Sequence, residues 1–168
     1  MFQSAAIATQ DKPAFYDELN RQLASLLEGE RDFIANAANL SALIFNLVPD
    51  LNWAGFYLMR GNELILGPFQ GKPACVRIPV APTPRGVCGA AAASGQTQLV
   101  KNVHEFPGHI ACDSASNSEV VVPLIAEGRV IGLLDIDSPT VARFNADDQR
   151  GFEALAATFL RLTDTPPK

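Results

Sequence analysis

The sequence predicts an α+β domain in which helices pack on the faces of a mainly antiparallel sheet. One observation is the order of elements: two helical segments, a block of short strands and a closing helical segment. Another is a pair of hairpin signals, Arg60-Gly61-Asn62 and Ala126-Glu127-Gly128, which join neighbouring antiparallel strands. The third is composition, because 168 residues that are 48% hydrophobic and 18% charged suffice for one packed core.

Apolar residues recur at helical spacing in three long segments of the chain. Helices are predicted over residues 11–29, 30–47 and 145–162, with a short Ala-rich helix over 86–95. Pro13 fits the first turn of the first helix, and Pro49 stops the second. Asn145 is the expected N-cap of the last helix, because two acids follow it where the helix dipole favours negative charge.

The middle of the chain alternates short apolar runs with turn residues. Strands are predicted over residues 53–59, 63–66, 75–80, 97–100, 119–125 and 129–137. The last two runs are nearly continuous in apolar residues, which is typical of central strands covered on both faces. Without repeats or a linker, residues 1–168 form one predicted domain, with fraying expected at 1–10 and 163–168.

Charge and hydropathy exclude several classes of function. The formal net charge is -5 with scattered basic residues, so we expect no nucleic-acid partner and no anionic-membrane site. The N-terminal stretch "MFQSAAIATQDKP" lacks the basic and apolar regions of a secretory signal, and no apolar run reaches the length of a membrane span. We therefore expect a soluble, cytoplasmic protein that does not engage a membrane.

The three cysteines, Cys75, Cys88 and Cys112, do not form the even set of a disulfide framework. Each is read as a small buried residue, a metal ligand or a redox group. Cys75 opens a predicted strand, and Cys88 begins the Ala-rich helix, where the N-terminal partial charge favours a thiolate. Cys112 lies in the irregular polar stretch "GHIACDSASNSE", which is unlike a packed core and points to function.

A metal site near Cys112 is a weaker alternative. His109 stands three residues before Cys112, and His104 is close in sequence. The spacing matches no zinc signature and the chain has no C-x-x-C pair, so no bound metal or other cofactor is expected.

Three carboxylates are predicted to meet at one end of the sheet. Glu119 begins one apolar run, and Asp135 and Asp137 end its hairpin partner. In an antiparallel hairpin the start of one strand lies beside the end of the next. Such acids are often simply solvated, but a partly buried cluster would attract a cation or hold a proton. Trp53, at the start of a strand, is either a core residue or the wall of a small-ligand pocket.

Five motifs, taken in order, resemble those of the free methionine-(R)-sulfoxide reductases, which are single GAF-fold domains with a six-stranded antiparallel sheet. They are "NWAGFYL", "LGPFQGKPACVRIPV", "GVCGAAAASGQTQLV", "VHEFPGHIACDSASNSEVVVPL" and "GLLDIDSP". The resemblance runs from about residue 30 to residue 160. It departs from the family pattern R-I-P-V-G-x-G-V-C at Ala81-Pro82-Thr83-Pro84, which implies a longer and stiffer loop before Cys88.

The resemblance implies a role for each residue singled out above. Cys112 corresponds to the family's attacking cysteine, Cys75 to its main resolving cysteine and Cys88 to an alternative partner. The substrate-binding positions it implies are Trp53, Glu119, Asp135 and Asp137. Glu119 is also a candidate proton donor, because adjacent acids cannot all ionise.

The implied activity is thiol-dependent reduction of free L-methionine (R)-S-oxide to methionine. A cysteine sulfenic acid and an intramolecular disulfide are the expected intermediates, and thioredoxin is the expected reductant. GAF domains often dimerise, which favours a homodimer. The rival readings are a small-molecule-sensing GAF module without turnover and a metal-binding protein.

Overall fold

The computed structural model describes residues 2–110, 112 and 114–165. Its centre is a single six-stranded antiparallel sheet, which confirms the predicted α+β class. The strands are β1 (Trp53–Arg60), β2 (Glu63–Gly71), β3 (Arg77–Pro79), β4 (Gln98–Val100), β5 (Ser118–Ala126) and β6 (Arg129–Ser138). Their order across the sheet is β3-β2-β1-β6-β5-β4, so β1 and β6 are central and two three-residue strands form the edges.

Four helices accompany the sheet: α1 (Lys12–Leu26), α2 (Phe33–Leu47), α3 (Gly86–Ser94) and α4 (Ala146–Leu162). A single 3-10 turn spans Val103–Glu105. Among the helices that the structure describes, none combines the length and the apolar character that a bilayer crossing requires.

The sheet has an apolar core on each face, because successive strand residues point to opposite sides. Ala54, Phe56 and Leu58 of β1 pack in the larger core with residues of α1, α2 and α4. Trp53 and Tyr57 of the same strand point the other way, into a smaller core with residues of α3. The candidate functional site lies on the face that carries α3.

Strand β2 is longer than its sequence pattern predicts. The predicted run ends at Leu66, whereas the strand continues to Gly71 through a shift in its register with β1 between Gly55 and Tyr57. Pro68 lacks the N–H that a regular ladder needs, and it lies within this irregularity, where that donor is not required.

Several predicted boundaries move because capping side chains decide where helices begin. The side chains of Asp11 and Asp32 accept the backbone N–H of Ala14 and Ala35, so α1 and α2 begin directly after these two acids. Asn145 caps α4 as predicted. Cys75 does not open a strand: β3 begins two residues later, so Cys75 lies in the preceding loop.

Parts of the two terminal segments for which fraying is predicted, residues 1–10 and 163–168, make hydrogen bonds to helices. The backbone N–H of Ala5 donates to Gln22 Oε1 at 3.0 Å, and Gln22 Nε2 donates back to the Ala5 carbonyl at 2.9 Å. At the other end, Thr163 is buried and its hydroxyl accepts from Asn36 Nδ2 at 3.0 Å. Residues 1 and 166–168 lie outside the described residues.

A buried carboxylate, Asp148, joins the start of α4 to α1. It accepts hydrogen bonds from the Tyr16 hydroxyl at 2.8 Å, from the Asn145 backbone N–H at 2.8 Å and from Arg143 at 3.2 Å, and it pairs with Lys12. Burial by itself would raise the pKa of Asp148, but these donors outweigh burial and lower it. The folded protein therefore holds Asp148 in its charged form.

We expect Asp148→Asn to lower the free energy of unfolding at pH 7 by about 2–4 kcal/mol, because it removes a charge that buried donors surround. Asp147→Asn is the matched control. Its carboxylate pairs with Arg150 on the surface, so its loss should cost less than about 1 kcal/mol. Urea unfolding of both variants measures the difference, and equal losses would contradict the assignment.

The same variant predicts a change in pH dependence. Because the pKa of Asp148 is lower in the folded than in the unfolded state, its contribution is complete above the unfolded pKa and is lost as pH falls through the folded pKa. Wild type should therefore lose more stability than Asp148→Asn on acidification below about pH 4.

Candidate active site

A small cavity of about 40 Å³ lies on the α3 face of the sheet. Its floor consists of side chains from the ends of β5 and β6. One wall comes from β1 and another from the start of α3. Cys112 and His109, from the segment between the 3-10 turn and β5, also line it. The cavity has room for a few water molecules.

The three predicted acids meet in this cavity, as hairpin geometry predicts. Glu119 of β5 lies directly opposite Asp137 of β6. Asp135 lies two residues before Asp137, so it shares its face of the sheet. Glu119 and Asp135 are 7% and 5% exposed, and Asp137 is half-buried. The cluster is therefore mostly removed from water.

Burial and mutual repulsion hold protons on this cluster. Burial, followed by the charges of Asp135 and Asp137, raises the pKa of Glu119 well above its usual range. Burial also raises the pKa of Asp135 to about 6, against hydrogen bonds with Cys88 and Glu119 that lower it. The cluster can consequently offer both an acidic proton and a negative charge near neutral pH.

Cys88 belongs to the acid cluster and is not an activated thiol. Its Sγ lies 3.3 Å from Asp135 Oδ2 and 3.7 Å from Glu119 Oε1. Burial, then the charges of Asp135 and Glu119, raises the pKa of Cys88 well above its usual value. The expectation that the helix N-terminus favours a thiolate is therefore wrong, because burial and two adjacent carboxylates outweigh the helix dipole.

The other two cysteines, Cys75 and Cys112, are joined by a disulfide. Their Cα atoms are 5.2 Å apart, and they lie 37 residues apart in sequence. Both are half-buried, and Cys112 lines the cavity. Ala111 and Asp113, which flank Cys112 in the predicted functional stretch, lie outside the described residues.

The loop Ala81–Pro84, where the sequence departs from the family pattern, is exposed but held at both ends. The backbone N–H of Ala81 donates to the Asn62 carbonyl at 3.2 Å, and that of Arg85 donates to the Pro79 carbonyl at 3.1 Å. Helix α3 then begins at Gly86, so Cys88 reaches the cavity despite the longer loop.

Trp53 is both a core residue and a cavity wall. It is 2% exposed, packs in the smaller core and lines the cavity. Its ring stacks on that of Phe69, with centroids 5.2 Å apart, and on that of Tyr57, with centroids 5.9 Å apart. The two interpretations of Trp53, as a core residue and as a pocket wall, are therefore compatible.

Tyr57 is a site residue that the sequence analysis missed. It lines the cavity, and its hydroxyl donates to the backbone carbonyl of Cys75 at 2.9 Å. The available signal was its position four residues after Trp53, which places both side chains on the same face of β1.

The two histidines and Cys112 make other contacts in this structure. The sulfur of Cys112 is bonded to Cys75, and His104 Nε2 contacts Asn117 Oδ1 at 2.9 Å. His109 lines the cavity, and burial together with the neighbouring His104 lowers its pKa. Within the described part of the chain, the one group of potential ligand atoms that converges within 4.8 Å is Cys88, Glu119 and Asp135.

Comparison with known proteins places the chain in a family. A family model described as GAF domain matches residues 35–160. The chain is 51% identical to the free methionine-R-sulfoxide reductase of Escherichia coli over 92% of each chain. The chain belongs to the free methionine-R-sulfoxide reductase family. A family member from Saccharomyces cerevisiae is 41% identical over 87% of this chain and 84% of its own.

A solved structure shares the family fold. The X-ray structure of free methionine-R-sulfoxide reductase from Neisseria meningitidis, in complex with its substrate, matches with a TM-score of 0.90 at 43% identity. The match covers 96% of this chain and 95% of that chain. The free methionine-R-sulfoxide reductases are oxidoreductases, and this fold and sequence place the chain among them.

The state of Cys88 generates a prediction about thiol labelling. In the oxidised protein, native Cys88 should resist alkylation at pH 8 under conditions in which glutathione reacts fully, because it is 5% exposed and its pKa is raised. Unfolding the same sample should release one reactive thiol. Mass spectrometry counts the labels, and rapid labelling of the native protein would show that Cys88 is an accessible thiolate.

Proposed function

We propose that this protein reduces free L-methionine (R)-S-oxide to methionine with electrons from a thiol. One observation carries the proposal: a half-buried cysteine pair, Cys75 and Cys112, adjoins a cavity floored by three carboxylates. The fold thereby brings together the two kinds of group that sulfoxide reduction needs, cysteine thiols and carboxylic acids. The E. coli and S. cerevisiae relatives, both free methionine-R-sulfoxide reductases, support this activity.

Cys112 is the proposed nucleophile. Its thiolate attacks the sulfoxide sulfur while the sulfoxide oxygen takes up a proton. The bond between the substrate sulfur and this oxygen breaks, the hydroxyl passes to the Cys112 sulfur, and methionine leaves with Cys112 as the sulfenic acid. Cys75 then attacks the sulfenic sulfur, which forms the disulfide and releases water. A dithiol reductant of the thioredoxin type then returns both cysteines to thiols. Over the whole cycle, the oxygen atom of the sulfoxide leaves as water. Such a reductant fits a reducing cytoplasm.

The position of Cys88 favours Cys75 as the resolving partner. The Cys88 sulfur faces Asp135 and Glu119 in the cavity floor, and burial raises its pKa. A resolving thiol must reach the sulfenic sulfur and ionise, and Cys88 is poorly suited to ionisation. Cys88 remains the alternative if Cys75 is lost.

Glu119 is the proposed proton donor. The sulfoxide oxygen must gain a proton as its bond to the substrate sulfur breaks, and Glu119 is a buried acid whose pKa is raised well above its usual range. It therefore holds a proton near neutral pH, inside the cavity that Cys112 also lines.

Asp135 and Asp137 are the residues proposed to bind the substrate ammonium. They lie on one face of β6 at the cavity floor, and their charges complement a cation. A methionine sulfoxide residue within a peptide has no free ammonium for these acids to bind, which favours the free amino acid as substrate.

The deciding experiment measures methionine release from each epimer of free methionine sulfoxide, with a thioredoxin system as reductant. Wild type should consume the R epimer, and Cys112→Ser should be inactive, because a hydroxyl does not replace the thiolate. Cys75→Ser should release one equivalent of methionine and then lose most of its turnover. Cys88→Ser should keep cycling with thioredoxin.

Each variant separates one alternative from the proposal. Wild-type activity in Cys112→Ser would remove that residue as nucleophile. Stalling of Cys88→Ser, with normal cycling of Cys75→Ser, would reverse the order of the resolving thiols. A wild-type protein that binds methionine sulfoxide without releasing methionine would be a ligand sensor.

The acids give a second prediction. Asp135→Asn and Asp137→Asn should mainly raise KM, by about 10- to 150-fold, the worth of a charge-assisted hydrogen bond. Glu119→Gln should mainly lower kcat, by about 10²–10⁴-fold, the usual contribution of a general acid. Steady-state kinetics with free and N-blocked methionine sulfoxide separate the two effects.

The matched control is Glu127→Gln. Glu127 is an exposed carboxylate at the turn of the same β5–β6 hairpin, at its opposite end. Its kinetics should equal those of wild type. Equal turnover of N-blocked and free methionine sulfoxide by wild type would show that the acids do not bind the substrate ammonium.

A further inference from the structure

Two aromatic side chains of β1 hold the loop that carries Cys75. Trp53 Nε1 donates a hydrogen bond to the Lys72 carbonyl at 3.2 Å, and the Tyr57 hydroxyl donates to the Cys75 carbonyl at 2.9 Å. Both side chains project from the same face of a central strand. The central strand β1 therefore sets the position of the irregular loop that carries Cys75.

The loop needs such support because it contains no regular secondary structure. Residues 72–76 contain no helix or strand, and Val76 is 61% exposed. Beside the bond from Tyr57, the Val76 carbonyl accepts from the Leu66 backbone N–H at 3.0 Å. The loop is thus held by β1 at Lys72 and at Cys75 itself, and by β2 at Val76.

The Tyr57 hydroxyl is itself rigidly placed. The Tyr57 side chain is 2% exposed, and its ring stacks on Trp53 with an interplanar angle of 26°. Burial and the nearby acids Asp135 and Asp137 raise the pKa of Tyr57, so the hydroxyl keeps its proton and remains a donor.

We propose that Tyr57 is a positioning residue for the resolving step: its hydroxyl holds the Cys75 backbone where the Cys75 sulfur reaches the Cys112 sulfenic acid. The inference rests on the proposed function for the order of the steps. In this step the Cys75 thiolate forms a bond to the Cys112 sulfur, the S–O bond breaks, and hydroxide takes up a proton and leaves as water. Tyr57 exchanges no proton, because it acts through the carbonyl.

The test uses Tyr57→Phe, which keeps the ring and removes the hydroxyl. Reduced protein is oxidised with one equivalent of hydrogen peroxide, which forms the Cys112 sulfenic acid without methionine sulfoxide. We expect the Cys75–Cys112 disulfide to form about three- to tenfold more slowly than in wild type, the usual worth of one neutral hydrogen bond. More sulfenic acid should therefore be trapped by a dimedone-type probe.

Tyr16→Phe is the matched control. It also removes a buried tyrosine hydroxyl, one that donates to Asp148 on the other face of the sheet. Its disulfide should form at the wild-type rate even where its melting temperature falls. A slowing in both variants would assign the effect to lost stability and would overturn the proposal.

An equilibrium measurement gives a second readout. In glutathione buffers, the effective concentration of Cys75 toward Cys112 should fall by a similar factor in Tyr57→Phe. A disulfide that forms at the wild-type rate, with unchanged effective concentration, would overturn the positioning role. Failure of the proposed function is distinct, because it would appear as absent methionine release from wild type.

Discussion

The antiparallel pairing of β6 with both β1 and β5 is the constraint on which the site depends. It sets Glu119 opposite Asp137 on one side, and Trp53 opposite Asp137 on the other. A shift of either register by one residue would move these side chains to the opposite face, among the apolar residues that meet α1, α2 and α4. The large core on that face therefore fixes the strand register at the candidate site.

The acid cluster is an unfavourable feature that the surrounding fold imposes. Like charges directly opposite each other in a sheet are destabilising, and burial removes the water that would soften their repulsion. The cluster persists because the strands that carry it are held by apolar neighbours such as Val120, Leu134 and Ile136, all fully buried. The stability of the core thus offsets the cost of the local charge arrangement on which the proposed ammonium site and proton donor depend.

Much of this arrangement could be predicted from the sequence. The hairpin at Ala126-Glu127-Gly128 and the apolar runs beside it determine that Glu119, Asp135 and Asp137 share one sheet end. Period-two spacing then places them on one face. These features are local in sequence, and local rules of geometry suffice for them.

Features that depend on distant contacts could not be predicted in this way. The reactivity of Cys88 looked favourable from its helix position, but it is set by carboxylates on β5 and β6. The link between Tyr57 and Cys75 crosses from a strand to an irregular loop, where no periodic pattern exists. The continuation of β2 past Leu66 depends on its neighbour β1 and has no signature of its own.

The Cys75–Cys112 disulfide has a consequence for the margins of the sheet. The chain between these two cysteines contains α3 and both edge strands, β3 and β4. Closing a loop of this length restricts the unfolded chain and so stabilises both edges at once. Exposed edges are where a sheet recruits foreign strands, and short edge strands limit this hazard. We therefore expect the oxidised protein to resist aggregation better than the reduced protein, under the same oxidising conditions that convert methionine to its sulfoxide.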